Sequence, residues 1–214
     1  MNDIENFIIS ELEPYEKYGK TIQENGTKLI GKAIHIAPLA WLHSIYKGLN
    51  EIEIKEVESD LNTEIPKEYA CFLHFSNGLN LFNTTLSLYG RRTSYNRISA
   101  INARQPFDLK TKNIHERPKK SKEEYFYIGS YFKDGSLIFI DKITNEIHRT
   151  ERDEINILNS WSDFREFIES EIVRLKSLHN ENGTPKNTEE TTTPKNELLS
   201  KNKSLWRRIK GKFK

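Results

Sequence analysis

The chain has 214 residues, 36% of them hydrophobic and 11% aromatic, which is sufficient for one domain with a buried core and an appendage. Its single cysteine, Cys71, excludes an internal disulfide. The net charge is +2, the N-terminus carries acids where a signal peptide needs positive charge, and the apolar runs are too short to span a bilayer, so we expect a cytoplasmic protein.

The first predicted element is an amphipathic helix. Apolar residues recur at helical spacing from Ile4 to Tyr15, and Pro14 lies near the end of this pattern. From there to Leu49 the pattern does not distinguish helix from strand. This part of the fold is left open by the sequence.

Two further helix patterns follow one another after Leu49. The first has three apolar residues on one face: Ile54, Val57 and Leu61. Pro66 suits the first turn of the second, and an aromatic pair, Tyr69 and Phe72, gives that helix a buried side. Asn77 and Gly78 then predict a left-handed turn that ends it.

A basic insertion separates these helices from the rest of the domain. Leu86 and Leu88 predict a short strand that ends at Gly90, and residues 91–124 follow as a mostly irregular loop. Its candidate contacts to an anionic partner are six cations: Arg91, Arg92, Arg97, Arg104, Lys119 and Lys120.

A strand meander and a closing helix complete the domain. Residues 125–132 and 136–141 predict a hairpin, and 146–150 a third strand. Ser160, paired with Asp163 in a capping box, predicts the start of the last helix. Helices around a mainly antiparallel sheet make this an α+β domain, with bounds 1–178.

These elements, in this order, resemble the SUKH superfamily, to which the yeast cell-wall-assembly regulator and many bacterial toxin-immunity proteins belong. The resemblance covers residues 51–178 apart from the basic insertion. It rests on an acidic amphipathic helix, Ile-Pro, an aromatic pair, Asn-Gly, and a later meander with a glycine, a tight turn and an aspartate. The residues that carry it are Pro66, Tyr69, Phe72, Asn77, Gly78, Gly129 and Asp141. The resemblance implies a stoichiometric protein inhibitor of a toxin and brings no catalytic motif.

The last part of the chain differs in composition from the domain. Residues 179–197 contain no aliphatic or aromatic side chain, repeat Thr-Pro-Lys-Asn at 184 and at 193, and predict a disordered linker whose removal with the tail leaves stability unchanged. Residues 198–214 have 7 basic residues and no acid, and predict a basic amphipathic helix. Its candidate contacts to a membrane or another anionic partner are Trp206, Arg207, Arg208, Lys210, Lys212 and Lys214. RNA or a protein are the alternatives for this tail.

Charge is distributed unevenly along the chain. Residues 1–90 carry 7 Lys/Arg against 13 Asp/Glu, and 123–178 carry 7 against 12. Residues 91–122 carry 10 against 2. An acidic domain face suits a basic protein partner, although charged faces are also commonly just solvated.

No catalytic, cofactor or metal motif occurs in the sequence, and the six histidines lack metal-ligand spacing. We therefore expect a protein without enzymatic activity, cofactor or small-molecule substrate. The predicted partner is a cognate toxin. The alternatives are a regulatory scaffold at the membrane or cell envelope that uses the tail, and an accessory protein that binds nucleic acid through the insertion.

Overall fold

The computed structural model describes residues 2–95, 104–187 and 192–196. The helices in these ranges are α1 (Asn2–Leu12), α2 (Glu51–Leu61), α3 (Lys67–Phe75) and α4 (Phe164–Leu178), with a 3-10 turn at Glu13–Tyr18 and a short wide helical turn at Thr111–His115. The strands are β1 (Lys20–Ile22), β2 (Lys28–Lys32), β3 (Trp41–Lys47), β4 (Ser76–Leu81), β5 (Leu86–Leu88), β6 (Tyr125–Tyr131), β7 (Leu137–Asp141), β8 (Ile147–Thr150) and β9 (Ile157–Trp161).

The strands form one sheet in which each pairs antiparallel with the next along the chain, from β1 to β9. The predicted α+β class is therefore confirmed. Strands β1 to β3 occupy the stretch whose pattern was ambiguous. Their alternation is obscured because most of β2 and β3 is buried, so both faces carry apolar residues.

The two helices predicted after Leu49 are present as α2 and α3. Asn50 caps α2 by accepting from the backbone N–H of Glu53, whose side chain accepts in return from the Asn50 N–H. The predicted apolar face is buried: Ile54, Val57 and Leu61. Pro66 stands at the N-cap of α3, one residue before its first turn.

The turn predicted at the end of α3 is wrong. The helix ends at Phe75, Ser76 is already extended, and Asn77 and Gly78 lie inside β4. Gly78 does have a positive φ of 89°, and a Cβ built on it would lie 2.7 Å from the carbonyl oxygen of Leu88. Glycine is needed because β5 passes close to this backbone, and local sequence does not show that approach.

The start predicted for the last helix is also wrong. Ser160 and Trp161 belong to β9, and α4 begins at Phe164 with Asp163 as N-cap, accepting from the Glu166 N–H at 2.7 Å. The Glu166 carboxylate accepts in turn from the Ser162 N–H. The helix starts four residues later than predicted because Trp161 extends the helical spacing backwards into a strand.

The main core lies between the sheet and the helices. Its centre is a set of fully or nearly buried aromatic rings, with Phe164 5.2 Å from Phe72 and 5.6 Å from Tyr69 between ring centroids. A smaller cluster lies apart from this core on alternate residues of β6 and β7, which places it on the other face of the sheet: Tyr125, Tyr127, Leu137 and Phe139. Among the described residues, no helix is both long and apolar enough to cross a membrane.

Residues 179–187 and 192–196 contact the domain. His179 stacks on Phe82 with ring centroids 4.1 Å apart, and the carbonyl of Pro194 accepts a hydrogen bond from Arg149. The described parts of the predicted linker thus contact the domain. Its lack of aliphatic residues does not predict these contacts, which are made by a histidine ring and a backbone carbonyl. Residues 188–191 and 197, and the predicted helix at 198–214, lie outside the described residues.

Candidate functional site

The site begins where Asn77 of the family motif holds the start of the basic insertion. The Asn77 Oδ1 accepts from the backbone N–H of Arg91 at 2.6 Å, and its Nδ2 donates to the Arg91 carbonyl at 2.9 Å. The side-chain amide thus bonds both backbone groups of one residue, as a neighbouring strand does. A Cβ on Gly90 would lie 2.4 Å from the Asn77 carbonyl oxygen, so the two segments are in close contact.

The insertion lies against the acidic helix α2. The Arg91 guanidinium is 2.5 Å from a carboxylate oxygen of Glu56 and 3.9 Å from one of Glu53. Lys110 is 2.6 Å from the carboxylate of Asp60. The regions of opposite charge that the sequence places apart are therefore partly neutralised where they meet.

Beside this junction lies a surface that we call the aromatic–arginine patch. It comprises Leu39, Trp41, Arg92, Tyr95, Arg104 and Phe107. A 240 Å³ cavity opens within it, lined by several of these residues and by polar side chains of β3 and β4.

Two arginines of the patch contact its neighbouring residues. Arg104 donates from Nη2 to the carbonyl of Leu39 at 2.8 Å, which joins the insertion to the β2–β3 connection. The Arg92 guanidinium lies 5.1 Å from the centre of the Tyr95 ring, a cation–π distance. Tyr95 in turn donates its hydroxyl to Asp108.

Apolar side chains of the patch are exposed to solvent. The exposed fraction is 79% for Leu39, 63% for Tyr95 and 47% for Phe107. Ile34 and Ile36 on the same β2–β3 connection are exposed as well. Aromatic residues and arginine next to exposed aliphatic ones are the composition enriched at the centre of protein interfaces.

Two phenols of the site remain protonated at neutral pH. Burial raises the pKa of Tyr46, which lies beside the cavity, to about 12, and its hydroxyl accepts from Asn80 Nδ2 at 2.8 Å. The hydrogen bond to Asp108, reinforced by burial, raises the pKa of Tyr95 to about 12. These hydroxyls can donate and accept hydrogen bonds, and they are poor bases or nucleophiles near pH 7.

The second half of the insertion covers the small aromatic cluster of the sheet. Asn113 accepts from the Tyr127 N–H at 2.9 Å and donates to the Tyr127 carbonyl at 2.8 Å, again bonding both backbone groups of one residue. The Arg117 guanidinium lies 5.6 Å from the Tyr127 ring centre. Lys120 forms an ion pair with Glu154 at 3.0 Å, and Lys119 is exposed. Apart from its wide helical turn, the described insertion is irregular, as predicted.

The remaining motif residues hold the sheet and turns. The buried hydroxyl of Tyr69 donates to the carbonyls of Tyr89 and Ile128, and a Cβ on Gly129 would lie 2.5 Å from the Ser87 carbonyl oxygen. The other members are Phe72, which is buried among aromatic rings, and Asp141, which accepts from the Ile143 N–H in a tight turn. These contacts lie within the sheet, the core and a turn, so the four residues stabilise the fold.

The predicted residues are only partly brought together. Asn77, Arg91, Arg92 and Arg104 meet at this site, whereas Lys119 and Lys120 lie against another part of the sheet. Arg97 and the six tail residues from Trp206 to Lys214 lie outside the described residues.

Sequence reasoning missed the exposed members of the patch. Leu39 and the half-buried Trp41 fall in the stretch whose pattern is ambiguous, and Tyr95 and Phe107 lie in residues 91–124, which are predicted as a mostly irregular loop. The available signal was the presence of large apolar side chains in segments with no helix or strand to bury them. Among the described residues, no group of His, Cys, Asp and Glu is arranged to hold a metal ion.

Comparison with known proteins identifies a family. A sequence model described as the SMI1/KNR4 family (SUKH-1) matches residues 48–170, which is more than half of the chain. The matched region runs from just before α2 into α4 and includes the whole site apart from the contributions of β1 to β3 and their connections. No curated protein matches the chain.

Proposed function

The chain belongs to the SMI1/KNR4 family (SUKH-1), which includes immunity proteins, and from this premise we propose that it binds a cognate toxin protein stoichiometrically and neutralises it without catalysis. The observation that supports this proposal is the aromatic–arginine patch. Its exposed Leu39, Tyr95 and Phe107 lie beside two partly buried arginines, and tyrosine and arginine are among the residue types that give most of the binding energy at protein interfaces.

The charge around the patch favours a protein partner. Helix α2, which contacts the insertion, presents the exposed carboxylate of Glu51, and this acid suits a basic surface of a toxin. Acidic rims mainly accelerate encounter and reject unsuitable partners, while the apolar centre supplies affinity. An apolar centre with a charged rim is therefore the arrangement we assign to the docking face.

The ion pairs of the insertion argue against the nucleic-acid alternative. Five of its described cations lie within 4 Å of a carboxylate: Arg91, Lys110, Lys112, Lys120 and Lys122. Binding to nucleic acid gains affinity from the cations that neutralise phosphates and release counterions. A cation already paired with a carboxylate contributes less to that release.

The proposal is tested first by co-purification of the tagged full-length protein with the product of the adjacent reading frame. Protection from the toxin is expected to saturate at a fixed molar ratio, and affinity to fall as salt increases. Protection at a small substoichiometric amount would show turnover and contradict the proposal. Retention on anionic vesicles or RNA, with no toxin binding, would favour the membrane-scaffold or nucleic-acid alternative.

Matched variants then test the docking face. Phe107→Ala in the patch is expected to weaken toxin binding by about tenfold or more, whereas Phe132→Ala, at an exposed phenylalanine in the β6–β7 turn, leaves it unchanged. In a second pair, Leu39→Asp in the patch is expected to weaken toxin binding, whereas Ile143→Asp, at an exposed isoleucine outside the patch, is expected to leave it unchanged. Equal affinities within both pairs would place the interface elsewhere on the protein.

A further inference from the structure

A buried arginine on β8 forms a hydrogen bond to the C-terminal segment. Arg149 is only 3% exposed, and its Nε donates to Ser136 Oγ at 2.9 Å while its Nη2 lies 2.6 Å from an Asp134 carboxylate oxygen. Its Nη1 donates both to Asn159 Oδ1 at 2.9 Å and to the Pro194 carbonyl at 2.8 Å. Three of its acceptors thus come from the domain and the fourth from the C-terminal segment.

A second buried side chain holds the next peptide carbonyl. Asn159 on β9 is 4% exposed, and its Nδ2 donates to the carbonyl of Lys195 at 2.9 Å. Arg149 and Asn159 are cross-strand partners in the sheet, so their positions are fixed by β8 and β9. Two successive backbone carbonyls are therefore bonded by a preformed pair of donors.

The energetic reason for this arrangement is the burial of the arginine. A buried guanidinium that lacks an acceptor loses its interactions with water without replacing them. The domain binds Arg149 through Asp134, Ser136 and Asn159, which leaves the second N–H of its Nη1 for an acceptor from outside the sheet. A peptide carbonyl satisfies this need.

The repeated tetrapeptide provides an independent observation. Thr-Pro-Lys-Asn occurs at 184–187 and again at 193–196. Thr193 and Pro194 of the second copy are buried, whereas Thr184 of the first is half-buried and Pro185 is exposed; the lysines of both copies are exposed. The first copy bonds the end of α4 through Lys186, and the second bonds Arg149 and Asn159, so the same Thr-Pro pair differs in burial between the two places.

We propose that Arg149 and Asn159 form a peptide-binding slot for a Thr-Pro-Lys segment, and that residues 193–195 of this chain occupy it. The slot fixes the C-terminal segment to the β8–β9 edge of the sheet, three residues before the basic tail begins at Leu198. It is separate from the aromatic–arginine patch and does not depend on the identity of the partner bound there.

The two tetrapeptides allow an internally controlled test by limited trypsin digestion of the full-length protein. Trypsin can cut after Lys186 and after Lys195, and both bonds lie in the same four-residue sequence. Cleavage after Lys195 is expected to be at least about tenfold slower than after Lys186, once the two rates are divided by those measured in the unfolded chain. Equal corrected rates, or faster cleavage after Lys195, would overturn the proposal.

An isosteric variant identifies the slot. Asn159→Asp keeps an oxygen for Arg149 but replaces the donor to Lys195 with a carboxylate, so the protection of Lys195 is expected to disappear. Asn156→Asp makes the same charge change at an exposed position and is expected to keep that protection. Unchanged protection in a folded Asn159→Asp protein would exclude the slot.

A peptide in solution tests recognition as opposed to simple packing. Thr193→Glu is expected to displace the intrachain segment in the full-length protein, and Thr184→Glu is the matched change in the first copy. A labelled Thr-Thr-Thr-Pro-Lys-Asn-Glu peptide is expected to bind Thr193→Glu at least about tenfold more tightly than Thr184→Glu, by fluorescence anisotropy. Adding Asn159→Asp to Thr193→Glu should abolish this binding. Equal binding by the two threonine variants, or no binding to either, would refute recognition by the slot.

Discussion

The helices of this domain and its polar attachments are held by different interactions. The helical layer packs ring against ring, as where Phe164 contacts Phe72 and Tyr69. The attachments are residues 104–124 of the insertion and the segment at 192–196. Asn113 of the insertion bonds the backbone of the sheet, and Arg149 and Asn159 of the sheet bond the backbone of the segment.

This difference predicts different stabilities. Burial of a large apolar side chain contributes about 2 to 3 kcal/mol, while one hydrogen bond contributes about 1 kcal/mol net because water competes for the same groups. We therefore expect the attachments to open locally while the helical layer stays folded.

The largest expected effect is in the helical layer. Phe164→Ala should lower the free energy of unfolding by about 3 to 5 kcal/mol, since it leaves a cavity among aromatic rings. Urea denaturation measures this cost. Phe132→Ala, at an exposed side chain, should change it by less than about 0.5 kcal/mol. Similar free energies of unfolding for Phe164→Ala and Phe132→Ala would contradict the expected difference between the helical layer and the attachments.

In the insertion, Asn113→Ala should cost about 1 to 3 kcal/mol because the N–H and carbonyl of Tyr127 lose their partner. The amide of Tyr127 is expected to exchange hydrogen faster while amides of the helical layer keep their protection. Asn156→Ala, at an exposed asparagine, serves as the control. Loss of protection throughout the protein would mean that the insertion and the helices unfold together.

The main core also contains a polar exception, on strand β3, that makes the comparison pH-dependent. His43 is fully buried between the rings of Tyr15 and Phe82, and neither of its ring nitrogens has a hydrogen-bond partner among the described residues. Burial lowers its pKa to about 3, and burial also lowers the pKa of His179, which stacks on the other side of Phe82.

Both histidines therefore bind protons more readily in the unfolded chain. The contribution of His43 to stability is complete above the unfolded pKa of about 6.5 and is lost as the pH falls from there towards about 3, and the lowered pKa of His179 makes its contribution change in the same direction. For His43 alone, lowering the pH from 7 to 5 should remove about 2 kcal/mol from the free energy of unfolding. His43→Leu should flatten this dependence, and an unchanged pH profile in that variant would assign the acid sensitivity to other groups.

The smallest effect concerns the C-terminal segment. Removing residues 198–214 should change the free energy of unfolding by less than about 0.5 kcal/mol, whereas removing 179–214 should lower it by at least about 1 to 2 kcal/mol through the lost bonds to Arg149 and Asn159 and the lost stacking of His179 on Phe82. This replaces the expectation from composition that the longer truncation is neutral. Equal thermal unfolding of the two truncated proteins would restore that expectation.

Much of the helical layer was determined by sequence alone. Apolar spacing and turn residues are local properties. They therefore predicted the faces of α2 and α3, the β6–β7 hairpin and the family. The errors at Gly78 and Ser160 occurred at boundaries, where no more than two residues separate a strand from a helix. Local spacing continues across such a junction, so it does not mark the change.

Only the tertiary structure decided the attachments, the patch and the peptide slot. Arg104 bonds the carbonyl of Leu39 across 65 positions, and Arg149 bonds that of Pro194 across 45. Every residue type has the same backbone carbonyl, so the acceptor leaves no mark in the sequence. The arginines and asparagines are visible as polar residues, but which backbone groups they bond depends on how the sheet brings distant segments together.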